Sequence, residues 1–364
     1  MGTPLAQCKG MAGPSKHLCI AQVAPLFESV PPRLYGGTER VVSYLTEELV
    51  RQGHQVTLFA SGDSRTSAEL VAVCDRALRL DPERPPAIVL HTLMLEKVFE
   101  RVDSFDIIHC HTDSLHLPLA RRSPVPVMTT LHGRLDLPGL DRLYREYAEL
   151  PMVSISNAQR RPVPDANWAG TVYHGLPLEQ HRPSYAAGTY LAFLGRASPE
   201  KRLDRAIAIA RASGIPLKIA AKVDVEDQAY FSTQIEPLID PPLVNFVGEI
   251  NEREKTEFLG GAVALLFPID WPEPFGLAMI EAMACGTPVI AFPCGAVPEV
   301  IDVGQTGFIV SSVQEAVERI SNLERLDRRR CREVFERRFS ATRMADDYCA
   351  LFRACGEQPC QLRA

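Results

Sequence analysis

Two glutamates eight residues apart, Glu273 and Glu281, flank a glycine, Gly276, that opens a helix. Leu277, Ile280 and Ala284 share one face of that helix, which the spacing starts at about Phe275, so the apolar face packs on a sheet and the first turn points at the sheet's edge. The unpaired N–H groups of that turn and the helix dipole form an anion site, and Gly276 lets a ligand approach the backbone. Helical rise sets the two carboxylates roughly 8–12 Å apart along the axis. A phosphate with hydroxyl groups on either side suits this arrangement. Arg196 leaves the end of an apolar strand and Lys201 lies near the start of the next helix, so both can reach one anion. Lys222 ends the following strand and can approach the same group. A second glycine-rich helix start, Tyr35-Gly36-Gly37-Thr38, offers a capping threonine and room for a ligand against the backbone.

These residues need a scaffold of strands ending at one edge. Short apolar runs at 17–24, 55–61, 106–111, 125–132 and 151–157 alternate with helical segments and read as buried strands of a first sheet. Runs at 190–194, 216–223, 243–248 and 262–269 repeat the pattern in a second. Such alternation implies doubly wound parallel sheets, in which ligands bind at the carboxyl ends of the strands. His109, His111, His132 and Asn157 stand at those ends, and the backbone around Val247 is a seat for a base. Residues 160–188 carry no long periodic run and are expected to contain the crossover between domains. An Arg-rich segment follows the helix expected from about Val313 to Leu326, and a last helix is expected over Ser340–Cys355.

The stretch LLFPIDWPEPFGLAMIEAMACGTPVIAFPCGAVPEVIDVG, residues 265–304, resembles the E-x7-E region of the family 4 retaining glycosyltransferases, whose fold is the two-domain GT-B architecture. The resemblance extends to Gly195-Arg196…Lys201, to Thr130-Leu131-His132-Gly133 and to the Gly36-Gly37 loop. It implies transfer of a hexose from a nucleotide-diphosphate sugar, UDP-linked in preference to GDP-linked, to a hydroxyl acceptor with retention at the anomeric carbon. On this likeness Glu273 and His132 contact the sugar, Glu281 the ribose, and Arg196 and Lys201 the diphosphate. Gly36, Gly37, Lys222, Val247, Pro274, Phe275, Gly276 and Leu277 belong to the donor side, and Tyr35, His109, His111 and Asn157 to the acceptor side. It divides the chain into a disordered leader (1–16), an acceptor-side domain (17–180) rejoined by a returning helix (340–364), and a donor domain (181–339). Two departures stand out: Arg202 follows the lysine where the family usually has glycine and is expected to crowd that turn, and Tyr173-His174-Gly175 replaces His-Asn-Gly, so His174 receives no role. A sugar-nucleotide epimerase and a non-catalytic nucleotide-sugar sensor share such a fold and stay open as alternatives.

Composition bounds the rest. A chain of 364 residues can bury two cores, and a net charge of −6 without a basic stripe argues against a nucleic-acid partner. No apolar run approaches the roughly 20 residues that span a bilayer, so a cytoplasmic chain is expected, with peripheral membrane contact left open. The ten cysteines are scattered without paired metal-ligand spacing and read as reduced thiols. No Asp-x-Asp motif is present, Asp224–Asp227 being the nearest stretch, so fixed cations rather than a metal are expected to meet the diphosphate.

Overall fold

The computed structural model describes residues 17–33, 35–83 and 85–357; the expected leader at 1–16 and the last residues of the returning helix lie outside them. The first sheet contains β1 (Cys19–Val23), β2 (Gln55–Ala60), β3 (Glu69–Ala72), β4 (Ile107–Cys110), β5 (Val127–Leu131), β6 (Met152–Ser154) and β7 (Trp168–Thr171). Its order is β3-β2-β1-β4-β5-β6-β7, and every pairing is parallel. The second contains β8 (Tyr190–Arg196), β9 (Leu217–Lys222), β10 (Val244–Gly248), β11 (Ala262–Phe267), β12 (Val289–Ala291) and β13 (Gly307–Ile309), in the parallel order β10-β9-β8-β11-β12-β13. Strand order reverses between β1 and β4 and again between β8 and β11. Parallel doubly wound sheets open their ligand crevices at such points, and here two of them belong to one molecule.

Helices of eight residues or more are α1 (Gly37–Arg51), α2 (Ala87–Glu100), α3 (Leu203–Ser213), α4 (Glu252–Gly260), α5 (Leu277–Ala284), α6 (Val313–Ile320), α7 (Arg328–Arg338) and α8 (Ala341–Glu357). The central strands are legible as apolar runs because both faces are covered: β4, β5, β6 and β12 are buried throughout. Three strands escape that reading. β3 and β7 are edges with half-buried or exposed residues, and β13 is a three-residue edge opened by Gly307.

The Arg-rich segment after α6 is itself helical, as α7, and its arginines staple the interdomain linker. Arg332 is buried, donating to the carbonyls of His181, Ala284 and Leu178 at 2.8 Å each. Arg328 does the same for Ser184, Ala262 and Gly260, also at 2.8 Å. The guanidinium forks satisfy linker carbonyls, the last carbonyls of α4 and α5 at Gly260 and Ala284, and the Ala262 carbonyl at the start of β11. α8 then returns to the first sheet. Tyr348 reaches the Thr130 hydroxyl at 3.0 Å, and Gln52 at the end of α1 holds Asp346 at 2.9 Å. Among the described cysteines, Cys110, Cys285, Cys331 and Cys349 are buried free thiols, whereas Cys19 is only partly covered.

Candidate functional site

A cavity of about 720 Å³ lies where the carboxyl ends of the two sheets face each other. On the second-sheet side, β8 delivers Arg196 to its wall. The guanidinium sits 2.7 Å from Glu200 and 3.7 Å from both Asp224 and Asp227. Asp224 and Asp227 thus serve as counter-charge to Arg196. Lys222, at the end of β9, pairs with Asp224 at 2.9 Å. Lys201 closes a single 3-10 turn, Pro199–Lys201, and its ammonium contacts the Glu273 carboxylate directly. Trp271 donates its indole N–H to the same carboxylate at 2.9 Å and lies under the ammonium at 5.1 Å.

Arg202 does not crowd this turn. It adopts the left-handed conformation, φ 53° and ψ 50°, that explains a preference for glycine there, and its guanidinium is held by Asp204 at 2.9 Å and Asp270 at 2.7 Å.

The helix expected from Phe275 begins two residues later, at Leu277, because Gly276 takes φ 94° and cannot join it. Phe275 is instead a buried loop residue against His174 and Phe339. Glu273 therefore precedes the helix on an extended loop, so the separation expected from helical rise does not apply between the two glutamates. A Cβ on Gly276 would fall 2.7 Å from Met279 and 3.0 Å from Phe267, so the backbone alone faces the cavity here.

Glu281, one turn into α5, is 3% exposed and pairs with Lys255 of α4 at 2.8 Å. Lys255 also holds Glu252 at 2.6 Å, and Glu252 meets Arg40 of α1 at 2.8 Å. Burial pushes the Glu281 carboxyl up, but Lys255, His181 and Arg40 together hold it below the usual carboxylate range. Ligand atoms of His181, Glu252 and Glu281 lie within 4.8 Å of one another. Two cations already neutralise these carboxylates, an arrangement that opposes metal binding.

On the first-sheet side, Tyr35, Gly36 and Gly37 line the cavity, and a Cβ on Gly36 would meet the Pro32 ring at 2.8 Å. Gly37 faces the start of α5, where a Cβ added to it would stand 3.7 Å from Leu277 Cδ1. The Tyr35 amide donates to Glu249 at 3.1 Å, and Lys222 stands 5.3 Å from the Tyr35 ring.

His132 follows β5 into the wall, with His111 beside it and His174 stacked on it at 5.3 Å. Burial lowers the His132 pKa to about 3 and takes those of His111 and His174 well below the ordinary value, so the trio is neutral at physiological pH.

Three expected contacts lie outside the cavity wall. His109 shares a face with His111 but sits one layer deeper, bonded to Thr130 at 2.7 Å and packed on Tyr348 and Phe352 of α8. Asn157 is engaged with Glu299 across the two lobes: its side-chain amide reaches that carboxylate at 3.0 Å and its backbone N–H at 2.8 Å. Val247 sits at a register irregularity in β10, with Gly248 at φ 81°, and Glu249 and Ile250 take the wall position. Conversely, Trp271, Lys255, Glu39 and Asp113 line the cavity with no role expected from the sequence, and His174, which received none, lines it too. Trp271, two residues from Glu273, was the one with a local signal.

Residues 179–337 match the family described as Glycosyl transferases group 1, and residues 35–166 match Glycosyltransferase Family 4. Phosphatidyl-myo-inositol mannosyltransferase of Mycobacterium leprae is 25% identical over 325 residues, covering 82% of this chain and 84% of that protein. Sucrose-phosphate synthase from Thermosynechococcus elongatus superposes with a TM-score of 0.76 at 19% identity, over 92% of this chain and 98% of that one. HepE of Anabaena, solved with UDP and glucose, superposes with a TM-score of 0.72 at 17% identity, over 93% of this chain and all of its own (100%). At those identities the two structures speak for the fold alone. With matches on both halves and two facing parallel-sheet domains, this chain belongs to the family 4 glycosyltransferases of GT-B fold and is a glycosyl-transferring enzyme.

Proposed function

We propose that the protein transfers a hexose from a nucleotide-diphosphate sugar, with UDP as the favoured nucleotide, to a hydroxyl acceptor, with retained anomeric configuration and without a metal ion. The observation that carries this reading is the convergence, in one cavity, of Arg196, Lys201 and the N-terminus of α5, with Glu273 between them and His132 opposite. A departing diphosphate needs positive charge fixed in advance, and two cations with oriented N–H groups supply it. The carboxylates now paired with Arg196 and Lys201 hold those side chains in place, and the diphosphate competes for them on binding.

Glu273 then faces the sugar and Glu281 the ribose, while His132 meets a sugar hydroxyl near the reacting carbon. The acceptor oxygen bonds to the anomeric carbon on the face from which the phosphate oxygen leaves. The C–O bond to the diphosphate breaks with its electron pair, and the acceptor proton passes to a leaving phosphate oxygen. No protein nucleophile is required. The complex of HepE with UDP and glucose supports UDP as the nucleotide.

Thermal unfolding against UDP-, GDP-, ADP- and dTDP-sugars in chelator tests the reading, since a ligand that binds only the folded state raises its stability by mass action. A shift with UDP-sugars in chelator that is lost in Glu281→Ala is expected. A shift that needs a divalent ion, or none with any nucleotide, counts against it.

A further inference from the structure

The first-sheet half of the cavity has a character of its own. Phe27, Ile88 and Leu115 are 45%, 59% and 36% exposed, and all three line the cavity. Large apolar side chains grouped around one opening mark a surface that a ligand covers. Beside them stand Glu28, Glu39 and Asp113. Asp113 is held at φ 51°, a left-handed backbone that Asp tolerates better than most residues, and its carboxylate makes no hydrogen bond or ion pair to a described residue.

Basic groups near this shelf are already engaged. Arg79 is tied to Glu28 at 2.9 Å and Arg40 to Glu252 at 2.8 Å. His91 has both nitrogens occupied, Nε2 by the Leu26 amide at 3.2 Å and Nδ1 by the Ala87 carbonyl at 2.7 Å, and is therefore neutral.

We propose that the acceptor taken by this half of the cavity is an alcohol with an apolar body and no phosphate or carboxylate. The proposal rests on the glycosyl-transfer reading of the same cavity. The apolar shelf of Phe27, Ile88 and Leu115 takes the body, and the carboxyl groups take hydroxyls. Burial raises Glu39 to about 7, and burial is also the leading cause that raises Asp113 and Glu28, the latter against the pull of Arg79. In either protonation state these groups bond to hydroxyls: a carboxylate accepts and a carboxyl both donates and accepts. The ionised form repels an anion. Arg79 and Arg40 also line this half, but Glu28, Glu39, Asp113 and Glu252 outnumber them, whereas Arg196, Lys201 and Lys222 face the side where the donor diphosphate is placed.

Ligand-observed NMR titration of the full chain with hexyl β-glucoside, methyl β-glucoside and glucose 6-phosphate, each with and without UDP, tests this. Hexyl glucoside is expected to bind at least tenfold more tightly than methyl glucoside, and glucose 6-phosphate no more tightly than methyl glucoside. Ile88→Ser with Leu115→Ser is expected to remove the hexyl advantage while UDP binding is kept. Glu39→Gln with Asp113→Asn is expected to improve glucose 6-phosphate binding several-fold. Tighter binding of the phosphate, equal binding of the two glucosides, or no binding of hexyl glucoside with or without UDP would overturn the proposal. Failure of the transferase reading would appear separately, as absent UDP binding in the same samples.

Discussion

His111 Nδ1 stands 2.8 Å from His132 Nε2, and the other nitrogen of His111 stands 2.8 Å from the side-chain oxygen of Gln22. The chain of bonds fixes tautomers. The Gln22 oxygen can only accept, so His111 carries its proton on Nε2 and presents a lone pair at Nδ1. His132 must then donate from Nε2, which leaves its Nδ1, buried and without a partner among the described residues, as an acceptor. A sugar hydroxyl can donate to it once ligand binding uncovers the atom.

Gln22→Met removes the acceptor that sets this chain. A neutral hydrogen bond contributes about 0.5–1.5 kcal/mol, so kcat/KM is expected to fall by about threefold to tenfold, with UDP affinity unchanged. A donor sugar lacking the hydroxyl that meets His132 should show no further loss in the variant. Steady-state kinetics with paired donors measure both, and an equal loss for both sugars would show that Gln22 acts elsewhere.

Lys255 is the principal counter-charge of a fully buried glutamate. Lys255→Met leaves Glu281 buried with His181 and Arg40 alone, and breaking such a pair costs about 3–5 kcal/mol. Adding Glu281→Gln is expected to restore more than ~1 kcal/mol of this, as contacting charges couple. Urea unfolding of the two single variants and the double variant gives the coupling; additive losses would mean that the pair is not the anchor of α4 against α5.

At Arg202 two effects oppose each other. Replacing it by glycine relieves a left-handed conformation worth ~1–2 kcal/mol, but loses partly exposed pairs to Asp204 and Asp270 worth about 0–1 kcal/mol each. Arg202→Gly should therefore lie within about 1 kcal/mol of the parent. Arg202→Val loses the pairs and adds the greater strain of a β-branched side chain at positive φ, and should cost about 2 kcal/mol or more. Denaturant midpoints decide, and equal effects of the two substitutions would contradict the backbone argument.

Acid should destabilise the fold above the pH at which carboxylates titrate. Burial depresses His132 and His116 to about 3, and His109, His111 and His174 well below their ordinary value. The unfolded chain binds more protons once pH falls below about 6.5, so this stability is full above that value and is lost toward pH 3, by about 1.4 kcal/mol per histidine per pH unit. Glu39, raised to about 7, works in the opposite sense, its contribution being lost as pH rises from 4.5 through 7. Several histidines outweigh one glutamate. Urea unfolding at pH 7.5 and 5.5 should show a loss of several kcal/mol, smaller in His116→Gln; equal stability at the two pH values would contradict the buried neutral histidines.

Much of this architecture was legible in the chain, because buried parallel strands are short continuous apolar runs and the runs at β1, β2, β4, β5 and β6 fall in register with their helices. Edge strands β3, β7 and β13 were not, since only part of each is covered and the apolar signal fails. In the cavity, Arg196, Lys201, Glu273, Gly276 and Glu281 could be read because they are close in sequence to a strand end or a helix start. Lys255 reaches the wall from a distant segment, and nothing local announces it; Glu39 and Asp113 lie beside residues that were read, the glycine-rich helix start and the strand end at His111, but their side chains carry no pattern of their own. His109 shows the limit of strand position as a guide: its spacing from His111 is right for one face, but the wall begins one residue pair later.

The central claim is metal-free, retaining transfer from a nucleotide sugar. It is tested most directly by following turnover of UDP-α-glucose by proton NMR in chelator, with hexyl glucoside as acceptor, and reading the anomeric signal of the first product formed. An α-linked product, absent in Arg196→Ala, is the expected result; a β-linked product, or turnover only after a divalent ion is restored, would contradict it.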